Sequence, residues 1–385
     1  MDRAISIADL RARAHKVMPR LALEYLEGGA EDESTLVRER LAFGQWRFLP
    51  HTLHDEHDRS TEHPILGRTA AMPLVIAPTG LNGLLRPGGD LMLARAAATS
   101  GVPFVQSTMS NVALEEVAAV PGLRHWWQLY VFGGDEIWHS LVDRAAEAGC
   151  EALVLTTNAQ IFGRREWADR LQLSPSVPTV STALETALHP RWLAGLLRHG
   201  MPKFDNVSRF IPRECHGLFQ SAGWIRRQMP KSLDWDILGK IRRRWRGPFL
   251  LKGVLNLDDV RRARDSGIDG LILGSHGGRQ MDGAVSPLDI LARARGIVGP
   301  DMPLYLSGGV RRGTDIIKAL ALGADAVVAG RAPLYGLCAG GEAGVARALA
   351  ILRAEIRNAI GQLGIARMSD LDSSILVAER DLPLA

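Results

Sequence analysis

The sequence predicts an α/β fold, a single (β/α)8 TIM barrel with a helical segment ahead of it and a long insertion after the fourth strand. Two observations carry this. Eight short apolar runs, each bounded by Gly, Pro or polar turn residues, alternate with segments of helical periodicity. No nucleotide-type glycine fingerprint follows the first run, which favours a closed barrel over the doubly wound sheet that shares the alternation.

The residues before about position 60 read as helical and precede the barrel. The strands are then PLVIAP at Pro73, PFVQST at Pro103, HWWQLYV at His125, ALVLTTN at Ala152, PFLLKGV at Pro248, GLILGS at Gly270, PLYLSGG at Pro303 and AVVAGR at Ala326. Near-continuous apolar strands are what a parallel sheet covered by helices requires. Helical patterns fill Asp90 to Ser100, Asp135 to Ala148, Leu257 to Ser266, Pro287 to Val298 and Thr314 to Leu322. The insertion runs from Ala159 to Gly247, a length that usually marks a functional or mobile segment. Residues 1–385 are expected to form one domain, an ordinary length for a barrel with insertions.

The balance of 46% hydrophobic and 23% charged residues is that of a folded globular chain. The three cysteines, Cys150, Cys215 and Cys338, are far apart and odd in number, which argues against a disulfide framework, and no metal-ligand spacing occurs. Neither a secretory leader nor a membrane span is read, so the expected location is cytoplasmic, with peripheral contact at the inner face of the membrane left open. The charge of +4 is not organised on a nucleic-acid motif, and no nucleic-acid partner is expected. Basic residues do gather between Arg191 and Arg246, including Arg226, Arg227, Lys231 and the run Arg242, Arg243, Arg244, Arg246. Trp192, Phe204, Phe210, Phe219 and Trp224 are interspersed among them. Solvated faces or an anionic membrane surface both fit that mixture.

Barrel chemistry sits at the C-terminal ends of the strands, and the polar residues there are far from random. Pro78, Thr79 and Gly80 follow the first strand, and Ser107 and Thr108 the second; Gln128 and Tyr130 lie on the third, and Thr156, Thr157 and Asn158 follow the fourth. Lys252 interrupts the apolar run of the fifth, an expensive position for a charge without a partner. Gly274, Ser275, His276, Gly277, Gly278 and Arg279 end the sixth, placing an imidazole and a guanidinium in a loop where backbone can approach a ligand. Ser307, Gly308, Gly309 and Arg311 after the seventh, with Gly330 and Arg331 after the eighth, stand where barrels commonly hold a phosphate.

These motifs resemble the FMN-dependent L-2-hydroxy acid oxidase and dehydrogenase family, most closely its mandelate dehydrogenase branch, from about Ile7 to beyond Gly364. The resemblance rests on YLEGGAEDE at Tyr25, WRFLP at Trp46, PTGLNG at Pro78, QLYV at Gln128, GRRE at Gly163, HGGRQMD at His276, SGGVRRGTDIIKALALGA at Ser307 and GRAPLYG at Gly330. Similar wording continues in TALETALHPRWLAGLLRHGMP at Thr182, which in the mandelate enzymes belongs to the region that meets the membrane. The resemblance implies oxidation of an L-2-hydroxy acid to a 2-oxo acid, with aromatic, mandelate-like acids among the candidate substrates. FMN would be held by Pro78, Thr79, Gly80, Ser107, Gln128, Thr156, Lys252 and Ser307, and its phosphate by Gly309, Arg311, Gly330 and Arg331. Lys252 would stabilise negative charge on the reduced ring. Arg279 and Arg165, assisted by Tyr25 and Tyr130, would take the small-molecule carboxylate. His276 would accept the proton. Gly80 implies an acceptor such as a quinone or a soluble carrier rather than oxygen, and the family implies a homo-oligomer, often a tetramer.

Four positions depart from the family pattern. Asn158 replaces an aspartate that orients the catalytic histidine, Gly274 replaces a serine, Ser275 replaces an asparagine, and Ser307 replaces an aspartate at the ribityl chain. An amide can hold an imidazole but cannot neutralise an imidazolium. A site retuned for a larger biosynthetic substrate or another reaction, and a catalytically weakened flavin-binding protein, therefore remain open beside ordinary hydroxy acid oxidation. A barrel like the type 2 isopentenyl diphosphate isomerase is the nearest rival enzyme, and the arginine pair argues against it.

Overall fold

The computed structural model describes residues 3–53, 59–166, 180–229 and 233–382, so Lys231 lies outside the described residues. Three helices open the chain: α1 (Ile7–Val17), α2 (Arg20–Glu27) and α3 (Ser34–Gly44). Ser6 and Asp9 form a capping box that starts α1 by satisfying amides the first turn leaves open. A short strand β1 (Trp46–Phe48) follows, then an antiparallel hairpin of β2 (His63–Ile65) and β3 (Arg68–Ala70).

Eight parallel strands then close a barrel: β4 (Leu74–Ile76), β5 (Phe104–Ser107), β6 (His125–Leu129), β7 (Ala152–Thr156), β8 (Phe249–Val254), β9 (Gly270–Leu273), β10 (Leu304–Leu306) and β11 (Ala326–Ala329). Each corresponds to one of the eight predicted runs. Their side chains alternate as a strand period of two demands. Val75, Val105, Trp126, Val154, Leu250, Ile272, Tyr305 and Val328 fill the interior, while Leu74, Phe104, Trp127, Leu153 and Leu271 join the layer under the helices. Ile65 and Ala70 of the hairpin belong to the interior cluster and stopper the N-terminal end. Arg124 fastens that stopper, donating to the carbonyls of Ile65 and Arg68 while paired with Glu151.

The intervening helices are α4 (Asn82–Leu85), α5 (Gly89–Thr99), α6 (Leu114–Ala118) and α7 (Asp135–Glu147). The insertion after β7 is itself helical, with α8 (Val180–Ala187), α9 (Pro190–His199), α10 (Leu218–Gln228) and α11 (Trp235–Arg244). Its apolar residues Phe204, Val207, Ile211, Leu218, Ile225, Leu238 and Ile241 join the main core. Next come α12 (Leu257–Arg264), α13 (Pro287–Val298), α14 (Gly313–Ala321) and α15 (Arg331–Gln362), the last kinked at Gly340 and Gly341. A final strand β12 (Leu376–Ala378) pairs antiparallel with β1 and ties the two ends together.

The aromatic residues of the basic stretch turn inward. Trp192 donates its indole N–H to Leu84 O at 2.8 Å, Phe204 is in the core, and Trp224 meets Phe132 edge-on. Arg242 and Arg244 pair with Asp269 and Asp143. α8, α9 and the turn between them expose aliphatic residues beside Arg191 and Arg198: Leu184, Leu188 (77% exposed) and Leu197 (78% exposed), followed by Met201. Among the described residues no helix is long and apolar enough to cross a membrane.

Candidate active site at the C-terminal mouth of the barrel

A cavity of about 510 Å³ opens at the C-terminal ends of the strands. Pro78, Thr79, Gly80, Ser107, Tyr130, Lys252 and Ser307 line it from the strand ends, and Tyr25 enters from α2. His276, Arg279, Gly309, Arg311, Gly330 and Arg331 come from the loops after β9, β10 and β11, and Arg165 from the start of the insertion. Strand register explains the floor. Ser107 is opposite Gln128, and Thr156 is opposite Lys252, so adjacent strands bring these polar groups to one level. Gln128 and Thr156 are buried beneath the cavity wall. A bulge between Lys252 and Val254 breaks the β8 ladder, and a bulge re-aims a side chain. Gly253 occupies it at φ +104°, where a Cβ would stand 2.5 Å from Asn158 Cγ; only glycine lets Asn158 pack there.

His276 is held from both sides. Asn158 Nδ2 donates to Gly274 O at 3.2 Å, which turns Oδ1 toward the imidazole, 3.2 Å from Nδ1. Nδ1 therefore carries the proton, and Nε2 is the acceptor, 3.4 Å from the Tyr130 hydroxyl. The histidine sits in the left-handed region at φ 62°, a costly conformation for a residue with a side chain and one that clusters at functional sites. Burial, reinforced by the cations Lys252, Arg165, Arg279 and Arg331, holds its pKa well below the ordinary histidine value. The resting imidazole is neutral.

Arg279 spends one N–H on Gly28 O at 2.7 Å and lies over the Tyr25 ring. Arg165 donates to Arg279 O and Gln280 Oε1 and lies over the Phe162 ring. Burial pushes both guanidinium pKa values down; the charge of Arg165 lowers that of Arg279 further and the charge of Arg226 that of Arg165, so an anion between them relieves both. Tyr25 donates to Gly80 O at 2.7 Å, and burial raises the phenol pKa values of Tyr25 and Tyr130, keeping them protonated. The Thr79 turn is braced from behind: Asn82 bonds Thr79 and the buried Asp90, whose pKa burial raises to about 6.

Three features fit a flavin mononucleotide. Among the described residues the buried Gln128 Nε2 has no partner. Burial lowers the Lys252 pKa to about 8 while the charge of Glu39 raises it, leaving an ammonium able to answer a developing anion. At the other end Gly308 and Gly309, at φ 140° and 71°, turn beside Arg311 and the start of α15 at Gly330, where amides at a helix N-terminus suit a phosphate. Arg331 is committed differently from its neighbour, for its guanidinium donates to the carbonyls of Leu26, Glu27 and Gly277.

Sequence reasoning missed the apolar wall formed by Phe162, Phe204, Leu218, Phe219, Ala222 and Ile225. The spacing of Leu218, Ala222 and Ile225 on one helical face was the available signal, but periodicity does not say which core a helix faces. Glu39 was also missed; nothing near it in the sequence marks it as buried.

The profile of the FMN-dependent dehydrogenase family matches residues 14–378. The chain is 42% identical over 376 residues to the (S)-mandelate dehydrogenase of Pseudomonas putida, covering 97% of this chain and 94% of that one. It is 33% identical over 374 residues to the L-lactate dehydrogenase of Yersinia pestis (strain Pestoides F), covering 97% and 98%. Among solved structures it superposes on the monotopic membrane protein (S)-mandelate dehydrogenase with a TM-score of 0.94, 42% identity and coverage of 98% and 100%. A mandelate oxidase variant with (S)-mandelic acid gives 0.82 at 34% identity, covering 99% of this chain and 100% of that one. The chain belongs to the family of FMN-dependent dehydrogenases.

Proposed function

We propose that this protein oxidises an L-2-hydroxy acid to the 2-oxo acid with FMN as its cofactor. The observation that carries the reading is the neutral His276, with Nε2 presented to a cavity where Arg165 and Arg279 lie together with no carboxylate partner among the described residues. Arg279 and Arg165 take the substrate carboxylate, and the Tyr25 and Tyr130 hydroxyls beside it turn from Gly80 O and His276 Nε2 to donate to the substrate. His276 Nε2 then accepts a proton from the substrate. Bound FMN supplies a two-electron acceptor at its N5. Gln128, Ser107, Thr156 and Ser307 bond the cofactor, Lys252 offsets the charge that reduction adds, and Gly309, Arg311 and the Gly330–Arg331 helix start receive the phosphate.

Phe162, Phe219 and Ile225 favour a substrate with an apolar side chain, and the mandelate-named relatives point the same way. The exposed leucines of α8 and α9, beside Arg191 and Arg198, support peripheral contact with an anionic membrane, where a quinone is an available acceptor. Gly80, which the resemblance ties to an acceptor other than oxygen, sits where a Cβ would come 2.9 Å from Met109 Cβ.

The test is anaerobic mixing of the FMN-loaded protein with L-mandelate, L-lactate and their D enantiomers, followed by flavin absorbance. Bleaching by the L acids, faster with mandelate, is expected. Flavin that stays oxidised with every acid tried would defeat the reading and favour the non-catalytic alternative that Asn158 and Ser307 raise.

A further inference from the structure

One buried charge is left unused by this reaction. Glu39, on α3, is 1% exposed. The Ser275 hydroxyl donates to its carboxylate, while the same Ser275 Oγ accepts from Gly278 N–H at 2.9 Å. Glu39 thus grips the loop that carries His276. It also lies directly behind the glycine turn: a Cβ on Gly308 would fall 2.5 Å from Glu39 Oε1. The next residue on the helix, Arg40, pairs with Asp315 and donates to Gly309 O, so α3 is fastened to that turn at two successive positions.

The charges around Glu39 are one-sided. Lys252 faces it from β8, Arg311 from the turn after β10, and Arg331 from the start of α15. The main cavity is lined by these three cations together with Arg164, Arg165, Arg226 and Arg279, and by no aspartate or glutamate among the described residues. The other carboxylates at the rear are spent elsewhere: Glu27 on Arg11 and His15, Asp315 on Arg40 and the amides of Arg311 and Arg312, and Glu33 on the Gly29 amide.

We propose that Glu39 is a positioning residue that supplies the negative charge of the cofactor site, offsetting Lys252, Arg311 and Arg331 from behind the 308–309 turn and so setting how readily bound FMN is reduced. The proposal rests on the reading that this cavity holds FMN. Reduction by two electrons and one proton from the hydroxy acid leaves one extra negative charge on the ring. Nearby cations favour that charge, and an ionised Glu39 opposes it. Burial raises the pKa of Glu39, whereas the Ser275 hydroxyl and the three cations lower it, so Ser275 helps to keep the carboxylate ionised.

The experiment is the midpoint potential of FMN bound to the parent, Glu39→Gln, Glu39→Asp and Ser275→Ala proteins between pH 6 and 9, with cofactor affinity from flavin fluorescence. Glu39→Gln is expected to favour the reduced form about tenfold, a rise of about 30 mV for a two-electron couple, while Glu39→Asp stays near the parent. Ser275→Ala should raise the potential at neutral pH and rejoin the parent at high pH, where Glu39 ionises without help. Should Glu39→Gln not fold, the Ser275→Ala curve decides. Potentials of the variants that coincide with the parent at every pH would overturn the proposal while leaving hydroxy acid oxidation intact. A parent protein that binds no FMN would remove both.

Discussion

The base role proposed for His276 requires a neutral imidazole, and its surroundings favour one: burial and four cations lower its pKa, and Asn158 offers an amide where a carboxylate would have stabilised the imidazolium. The acid limb of kcat/KM is therefore expected well below pH 6.5. Asn158→Asp adds a negative charge at Nδ1, which favours the protonated ring and lifts the pKa, so the limb moves to higher pH. Above the new limb the imidazolium formed during turnover is better neutralised, and the rate should rise by a factor of ten or more, given that the opposite change in a Ser-His-Asp triad costs about 10⁴. A pH profile of both proteins checks this; a limb that does not move would place the proton elsewhere. Lys252→Met should slow flavin reduction about 10²–10³-fold in stopped flow, the range typical of losing one group aimed at a developing anion. The residue types of this site were readable because glycine, lysine and arginine are conspicuous at apolar strand ends. The partners of Ser275 and Arg331 were not, since they lie on α2 and α3, far away in sequence.

Among the elements, α10 does most to shape the pocket, and it does so with one apolar face turned from solvent. Leu218, Ala222 and Ile225 share that face by helical spacing, and Phe219 reaches the cavity beside them. Phe219→Ala removes apolar wall without touching the arginines. The expected result is a fall in kcat/KM for L-mandelate of about tenfold relative to L-lactate, since each apolar group in such a pocket contributes about 1–3 kcal/mol of discrimination. Equal losses for both acids would mean that α10 positions the loop rather than reading the side chain. The long excursion was expected only as something functional or mobile. The helices described in it emerge because several short amphipathic stretches, each marginal alone, become stable by docking on the barrel.

At the scale of the whole molecule, the barrel gathers chemistry at one mouth and leaves the leucine-bearing outer turns of α8 and α9 beside it. Leu188→Glu with Leu197→Glu should reduce cosedimentation with anionic phospholipid vesicles at low salt while hydroxy acid oxidation by the soluble protein is kept. Unchanged cosedimentation would exclude this surface as the contact. The opposite end is closed by the β2–β3 hairpin under Arg124 and Glu151, so the base and the mouth are separate regions of one barrel. The sequence by itself determined the barrel, its eight strands and the identity of nearly every polar residue at the mouth. These depend on local patterns: apolar runs of strand length, glycine turns and a period of two or 3.6. Tertiary structure alone decided which nitrogen of His276 faces the cavity, that Glu39 stands behind the cofactor turn, and that the insertion's aromatic residues point inward. Each of these depends on contacts between residues many positions apart, which no local pattern encodes.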